Sequence, residues 1–184
     1  LFRDSMANLA PLERLLAQHL GPEELRRIAA EHRRGRRLFV GTTNLDAGRP
    51  VIWNIAASGR PDALLLTRQA LLASASIPGA FEALYFEVKV DGRRYHEMHV
   101  DGAATRQVFL FPAQFDWRKL AEILDPPEPA RIYVIRDSSL QPEYQVVKPN
   151  ALAVSARAVG ALIRTQGIGD LNRIYLQARR DGME

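Results

Sequence analysis

The first third of the chain has apolar residues at helical spacing. Four leucines recur with a helical period between residues 12 and 20, and Gly21-Pro22 interrupts the pattern. A second helical pattern follows, with Leu25 and Ile28 on one side and two glutamates in its first turn. The sequence therefore predicts two short helices separated at Gly21.

The pattern then changes to short apolar runs that are typical of strands. Leu38-Phe39-Val40 is a continuous run, and this pattern favours a strand buried on both faces of a parallel sheet. Residues 51–55 form a second run, after a turn over Asp46-Ala47-Gly48-Arg49. These residues predict two strands joined by a turn.

Two strand-like runs, residues 86–90 and 95–100, flank Asp91-Gly92. An Asp-Gly pair between such runs is the strongest short-range indication of a β-hairpin. Three further strands are predicted, at residues 108–111, 132–135 and 145–147.

Three more helices complete the pattern. An apolar helix begins near Asp62 and ends before Pro78, and a short helix follows Asp116. The stretch 150–180 is helical, with an interruption at residues 167–169. Because helices and strands alternate without a linker, the chain is predicted to be one α/β domain with a mixed sheet.

Composition places the chain among ordinary globular proteins, with 47% hydrophobic and 25% charged residues. No apolar run reaches the roughly 18 residues that a membrane span requires. The chain has no cysteine, which excludes disulfides and thiolate metal sites but leaves the compartment undetermined. Because the first residue is Leu1, we expect this sequence to be a piece of a longer protein.

The formal charge is +4, and a dense basic run covers residues 32–37. One interpretation is a surface for nucleic acid or an anionic membrane. The other is a solvated helix C-terminus that ends at Gly35. No aromatic residues are interleaved for stacking, so the sequence favours the second interpretation and predicts no nucleic-acid partner.

Metal and nucleophile motifs are absent from the sequence. His96 and His99 are three residues apart on a predicted strand, so their side chains point to opposite faces, and no metal site or cofactor is expected. No serine lies in a Gly-x-Ser-x-Gly elbow. Ser74 and Ser76 are predicted to hydrogen-bond to backbone at a helix end. We therefore expect no nucleophile in this chain.

Asp101-Gly102-Ala103 follows a predicted strand, where α/β folds often place a catalytic group. Taken alone, this tripeptide more often forms a simple turn. Two other segments change that interpretation. Residues 41–50, 71–81 and 101–103 together resemble, in order, three motifs of the patatin-like phospholipases. The resemblance covers roughly residues 36–115.

The resemblance implies a three-layer α/β/α fold with a mixed central sheet. It also implies a Ser–Asp dyad in which Asp101 is the general base, while Gly102 and Ala103 allow close approach of backbone and substrate. The family's glycine-rich oxyanion loop and serine elbow lie upstream of everything in this sequence. Residues 1–184 would therefore form the carboxy-terminal portion of the catalytic domain, with an incomplete sheet. One departure is Glu82-Ala83, where the family often has two prolines.

The implied activity is that of a phospholipase or lysophospholipase-like lipid esterase, inactive as the isolated chain. The implied partners are an acyl ester or lipid substrate, the missing amino-terminal half, a membrane surface contacted peripherally, and a second copy through an unpaired sheet edge. The alternative is a non-catalytic patatin-like module or a basic domain that binds an anionic surface. The serine position upstream would distinguish these two hypotheses.

Overall fold

The computed structural model describes residues 7–55, 61–110, 117–124, 130–137 and 139–183. The chain divides into two compact units, Leu1–Arg106 and Gln107–Glu184. The expectation that the chain forms one domain stays a prediction.

The first unit contains helices α1 (Ala10–His19), α2 (Pro22–Arg33) and α3 (Ala63–Ser74), strands β1 (Phe39–Asn44), β2 (Arg49–Asn54), β3 (Leu84–Val90) and β4 (Arg93–Asp101), and a 3₁₀ turn (Gly102–Ala104). The second unit contains helices α4 (Trp117–Leu124) and α5 (Ala151–Asp181).

The two amino-terminal helices are confirmed, with their boundary where Gly21-Pro22 predicts it. Pro22 is the first residue of α2, where its missing N–H is not needed by the helix. The Gly21 N–H donates to the Glu24 carboxylate at 2.9 Å, which satisfies a donor at the helix start.

The basic run 32–37 contains the C-terminus of α2, as its second interpretation predicted. The helix ends at Arg33, and Gly35 has a φ of 97°, the left-handed conformation that glycine adopts at helix ends. Arg34 pairs with Glu31 at 2.7 Å, and Arg37 donates to the carbonyl of His32 at 2.8 Å. These guanidinium groups therefore stabilise the end of the helix.

The four strands form one sheet in the order β2-β1-β4-β3, and every pairing is antiparallel. The expectation that residues 38–40 belong to a parallel strand buried on both faces is therefore wrong. Val40 is buried, whereas Phe39 is 47% exposed, so β1 has one covered face at this end. A three-residue apolar run occurs both in parallel strands buried on two faces and in antiparallel strands with one covered face, so the run alone does not distinguish them.

Both hairpins have the turns that the sequence predicts. Asp91 and Gly92 have φ values of 49° and 79°, as a two-residue turn between β3 and β4 requires. Residues 45–48 form the turn between β1 and β2, and Gly48 has a φ of 61°. These turns fix the register within each hairpin.

Helix α3 covers one face of the sheet. It begins after Asp62, as predicted, although the Asp62 side chain makes no capping hydrogen bond. Its buried Ala70 packs with Val40 and Ile55 in the core. Partly buried side chains complete this cluster, namely Ile28, Trp53 and Leu71. The core of the first unit therefore lies between β1, β2 and the helices α2 and α3.

The strands predicted in the second unit are not formed by the residues that the structure describes. Residues 108–110, 132–135 and 145–147 have no regular structure, and Phe111 lies outside the described residues. Tyr133 and Ile135 are 81% and 96% exposed. A strand needs a neighbour for its backbone hydrogen bonds, and apolar composition alone does not supply one.

The predictions for the two helices of the second unit have different outcomes. The short helix α4 is confirmed, while Asp116, its predicted cap, lies outside the described residues. The predicted interruption at residues 167–169 is wrong, because α5 is continuous over 31 residues. An isolated helical glycine costs about 1 kcal/mol relative to alanine, which a well-packed helix tolerates.

The glycine at position 167 makes room for a neighbouring side chain. A Cβ atom there would lie 1.8 Å from Oε1 of Gln107. The carboxylate of Asp170, buried on the same helix, accepts hydrogen bonds from the Gln107 N–H at 2.8 Å and from Nε2 of Gln166 at 2.7 Å. Asp170 also pairs with Arg173. These contacts hold residue 107 against α5.

The chain is thus a mixed α/β protein with an antiparallel sheet. No helix in the described ranges has the length and apolar character needed to cross a membrane.

Candidate functional site

Asp101 is the last residue of β4 and lies opposite Thr42 on β1. The 3₁₀ turn begins directly after it, and Oδ1 of Asp101 accepts a hydrogen bond from the Ala103 N–H at 2.8 Å. The carboxylate is therefore oriented by the turn that follows it. The residue is partly buried.

The main chain of Asp101 is anchored on both sides by buried groups. Its N–H donates to the carbonyl of Ser76 at 2.9 Å, just beyond α3. Its carbonyl accepts from the hydroxyl of Thr43 at 3.0 Å. Ser76 and Thr43 are both almost fully buried, so water does not compete for these bonds.

Gly102 lies directly against the backbone of β1. A Cβ atom at this position would lie 2.6 Å from the carbonyl oxygen of Gly41 and 2.8 Å from its carbonyl carbon. Only glycine permits this approach. Gly102 is therefore required by the packing of the fold, while the role of Gly102 and Ala103 towards a substrate stays a prediction.

The structure thus brings together the three segments on which the family resemblance depends. Residues 41–50 supply Gly41 and Thr43, and residues 71–81 supply the Ser76 carbonyl. Both segments contact Asp101 or Gly102 through the main chain. These segments are separated in sequence, so their contact is a property of the fold and not of any single motif.

A second hydroxyl extends the anchor, and motif reasoning missed it. The Thr43 hydroxyl has one proton, which it donates to the Asp101 carbonyl. The Thr105 hydroxyl lies 2.8 Å from Thr43 and supplies the other hydrogen bond. Thr43 lies within a quoted motif, but nothing in the sequence indicated that its side chain crosses to β4.

His99 is the second residue of this site to which the sequence assigned no role. It is 1% exposed, and Nδ1 lies 2.9 Å from the hydroxyl of Thr42, which also accepts from Nε1 of Trp53 at 2.8 Å. Its ring also packs against Phe86, with centroids 4.8 Å apart. His96 is exposed whereas His99 is buried, which confirms the prediction that the two side chains point to opposite faces of the strand.

Burial lowers the pKa of His99 below its ordinary value, because the charged ring loses hydration. The carboxylates of Glu97 and Asp46 oppose this shift, and Glu97 lies 3.5 Å from Nε2. Nε2 has no hydrogen-bond partner within the described part of the chain. His99 is therefore a neutral, buried group at neutral pH, two residues before Asp101 on the same strand.

This lowered pKa predicts a loss of stability in mild acid. As the pH falls through the ordinary pKa of histidine, about 6.5, the unfolded chain binds a proton at position 99 before the folded chain does. The free energy of unfolding therefore decreases as the pH falls, until the folded chain is protonated as well. The slope from one histidine is at most about 1.4 kcal/mol per pH unit. Urea titrations at several pH values should show a smaller slope for His99→Gln.

His96→Gln is the matched control, because His96 is an exposed histidine of the same strand. Its slope should equal that of the wild type. Equal slopes for the wild type and His99→Gln would contradict the assignment of the lowered pKa to His99.

Ser76 has the role predicted for it. Its hydroxyl is fully buried and donates to the carbonyl of Leu72 at 2.8 Å. Across the described ranges, no group of three or more acidic or histidine side chains is placed to hold a metal ion. Asp101 is thus a partly buried carboxylate at the end of β4.

Searches against protein-family models and against curated proteins find no match to this chain.

Proposed function

We propose that this chain is part of a serine acyl hydrolase acting on lipid esters, in which Asp101 is the general base of a Ser–Asp dyad. The nucleophilic serine and the oxyanion donors would come from a segment outside this sequence. One observation carries the proposal, namely the meeting of the three patatin-like segments at Asp101.

The geometry suits a general base. The main chain of Asp101 is fixed at both its N–H and its carbonyl, and the Asp101 carboxylate is oriented by the N–H of Ala103. Such a base must stay within hydrogen-bond reach of the nucleophile, and a displacement of about 1 Å can cost about 10²-fold in rate. Asp101 would accept the serine proton as the serine oxygen attacks the ester carbonyl. It would return that proton to the departing alcohol.

The same proposal includes a three-layer fold, in which both faces of the sheet are covered. Helix α3 supplies one covering layer for the sheet. On the other face, Phe39 and Ile52 are exposed, and Ile52 pairs with Gly41 beside the Gly102 turn. These apolar side chains would be covered by a further layer from the absent segment, which would also bring the serine to Asp101.

Activity of the chain alone and with the upstream segment tests this proposal. The isolated chain should not turn over short-chain nitrophenyl esters or react with a fluorophosphonate. Supplying the upstream segment, in one chain or as a separate half, should restore both. Turnover by the isolated chain that is abolished by labelling at Ser74 or Ser76 would contradict the assignment. So would an upstream segment without a serine in a Gly-x-Ser-x-Gly elbow.

A further inference from the structure

A chain of buried hydrogen bonds connects β2, β1 and β4 beside Asp101. Nε1 of Trp53 donates to the hydroxyl of Thr42 at 2.8 Å, and this hydroxyl lies 2.9 Å from Nδ1 of His99. Thr42 and His99 are almost fully buried, so water does not compete for either bond. The chain therefore joins three strands through their side chains.

The bonds of the Thr42 hydroxyl determine which ring nitrogen of His99 carries the proton. An indole N–H can only donate, so the hydroxyl oxygen accepts from Trp53 and the single hydroxyl proton is left for Nδ1. Nδ1 is therefore the acceptor, and the proton of the neutral ring is on Nε2. Nε2 lies 3.5 Å from the carboxylate of Glu97.

Thr42 is also the residue directly opposite Asp101. The register pairs Thr42 of β1 with Asp101 of β4, and His99 is two residues earlier on β4. Opposite residues of antiparallel strands share one face of a sheet, and so do residues two apart on one strand. The bond between Thr42 and His99 therefore lies on the face and in the strand pair that carry the Asp101 carboxylate.

Protonation of His99 is incompatible with this bond. Both ring nitrogens of an imidazolium are donors, so Nδ1 can no longer accept the Thr42 proton. The hydroxyl makes no hydrogen bond to another acceptor in the described part of the chain, and a buried donor without an acceptor is unfavourable. The contact between β1 and β4 at Thr42 therefore depends on a neutral His99.

Two carboxylates face the ring of His99, that of Glu97 on the same strand and that of Asp46 in the turn between β1 and β2. The rings that pack against His99 from β2 and β3, Trp53 and Phe86, carry no charge. A protonated ring is therefore attracted towards Glu97 and away from β1.

We propose that neutral His99 is a positioning residue for Asp101, which holds β1 against β4 through Thr42 and releases this contact when it is protonated. This inference rests on the proposed acyl hydrolase function and makes that activity sensitive to mild acid. A displacement of about 1 Å at a catalytic group can cost about 10²-fold in rate, so a small movement of this strand pair has a large effect. His99 acts through Thr42 and not on the substrate.

The dependence of kcat on pH in the catalytically complete protein, expressed per folded molecule, tests the proposal. His99→Leu removes the acceptor and should lower kcat at about pH 8 by about 10- to 100-fold. The amide oxygen of His99→Asn can take the place of Nδ1 and does not titrate, so this variant should recover most of the loss. Below about pH 6.5, the ordinary pKa of histidine, wild-type kcat should fall more steeply with pH than kcat of His99→Asn.

His96→Asn is the matched control, because it removes an exposed histidine from the same strand. Its pH profile should equal that of the wild type. A loss of stability alone would lower the folded fraction and leave the pH dependence of kcat per folded molecule unchanged.

A second measurement needs no activity and uses the 184-residue chain. The N–H of Ala103 donates to the Asp101 carboxylate, so its NMR resonance reports on that carboxylate. In the wild type this resonance should move as His99 titrates. In His99→Asn the movement should be absent from the same pH range.

Equal pH profiles for the wild type and His99→Asn would overturn this inference and leave the proposed function standing. An Ala103 resonance that does not follow His99 would overturn it as well. If the complete protein hydrolysed no ester, the proposed function would be wrong, and with it the positioning role of His99, whatever the Ala103 resonance shows.

Discussion

Asp101→Asn should lower kcat for ester hydrolysis by about 10²- to 10⁴-fold in the catalytically complete protein, the usual contribution of general-base catalysis. KM should change little, because the aspartate acts on the nucleophile and not on substrate binding. Asparagine keeps the carbonyl oxygen that accepts the Ala103 N–H, so the turn is retained. The measurement is steady-state turnover of a nitrophenyl ester.

Asp91→Asn is the control for this prediction. Asp91 is exposed and lies in the hairpin turn with a φ of 49°, a conformation that asparagine before glycine also adopts readily. Turnover should stay near the wild-type rate. If Asp101→Asn also kept the wild-type rate, Asp101 would only shape its own turn, and the assignment of the general base would be wrong.

Gly102→Ala should lower the free energy of unfolding by about 2–3 kcal/mol, the cost of forcing atoms into a packed site. The added methyl group would lie 2.6 Å from a carbonyl oxygen of β1, which cannot rotate away as a side chain can. Relief requires that β1 and β4 separate where Thr42 faces Asp101. Denaturant unfolding of the two proteins measures the difference.

Gly48→Ala is the control for Gly102→Ala, because it measures the cost of backbone strain without a steric clash. Gly48 has a φ of 61° and no atom within 4 Å of an added Cβ, so its variant carries the strain without the collision. We expect it to cost about 1 kcal/mol. A cost for Gly102→Ala no larger than this would show that the approach of Gly41 and Gly102 is not tight.

The sequence was sufficient to predict those structural features that depend only on residues close to one another in the chain. Asp91-Gly92 predicts its hairpin because a two-residue turn with positive φ needs these residue types. Pro22 and Gly35 likewise predict the ends of α2. Ser76 was correctly predicted to bond to its own helix, since that partner is one helical turn away.

Features that depend on distant residues were not predictable in the same way. The three motifs identified Asp101 and Gly102, but not the Thr43 hydroxyl or the buried His99 beside them. The prediction of a parallel β1 was wrong, because an apolar run does not specify which strands it pairs with or in which direction. The stretch 132–135 has the composition of a strand and no partner strand in the described part of the chain, so its composition was equally uninformative.

The order β2-β1-β4-β3 has a consequence for when the site forms during folding. Both outer pairings are hairpins between consecutive strands, and hairpins close in about 1–10 μs. The central pairing of β1 with β4 joins residues as much as 59 positions apart, as Thr42 and Asp101 are. Each doubling of a closed loop adds about 0.6 kcal/mol of lost chain entropy, and this cost precedes the contacts that offset it. Because Asp101 lies at that joint, its geometry is absent from either hairpin alone and appears only when the two hairpins dock.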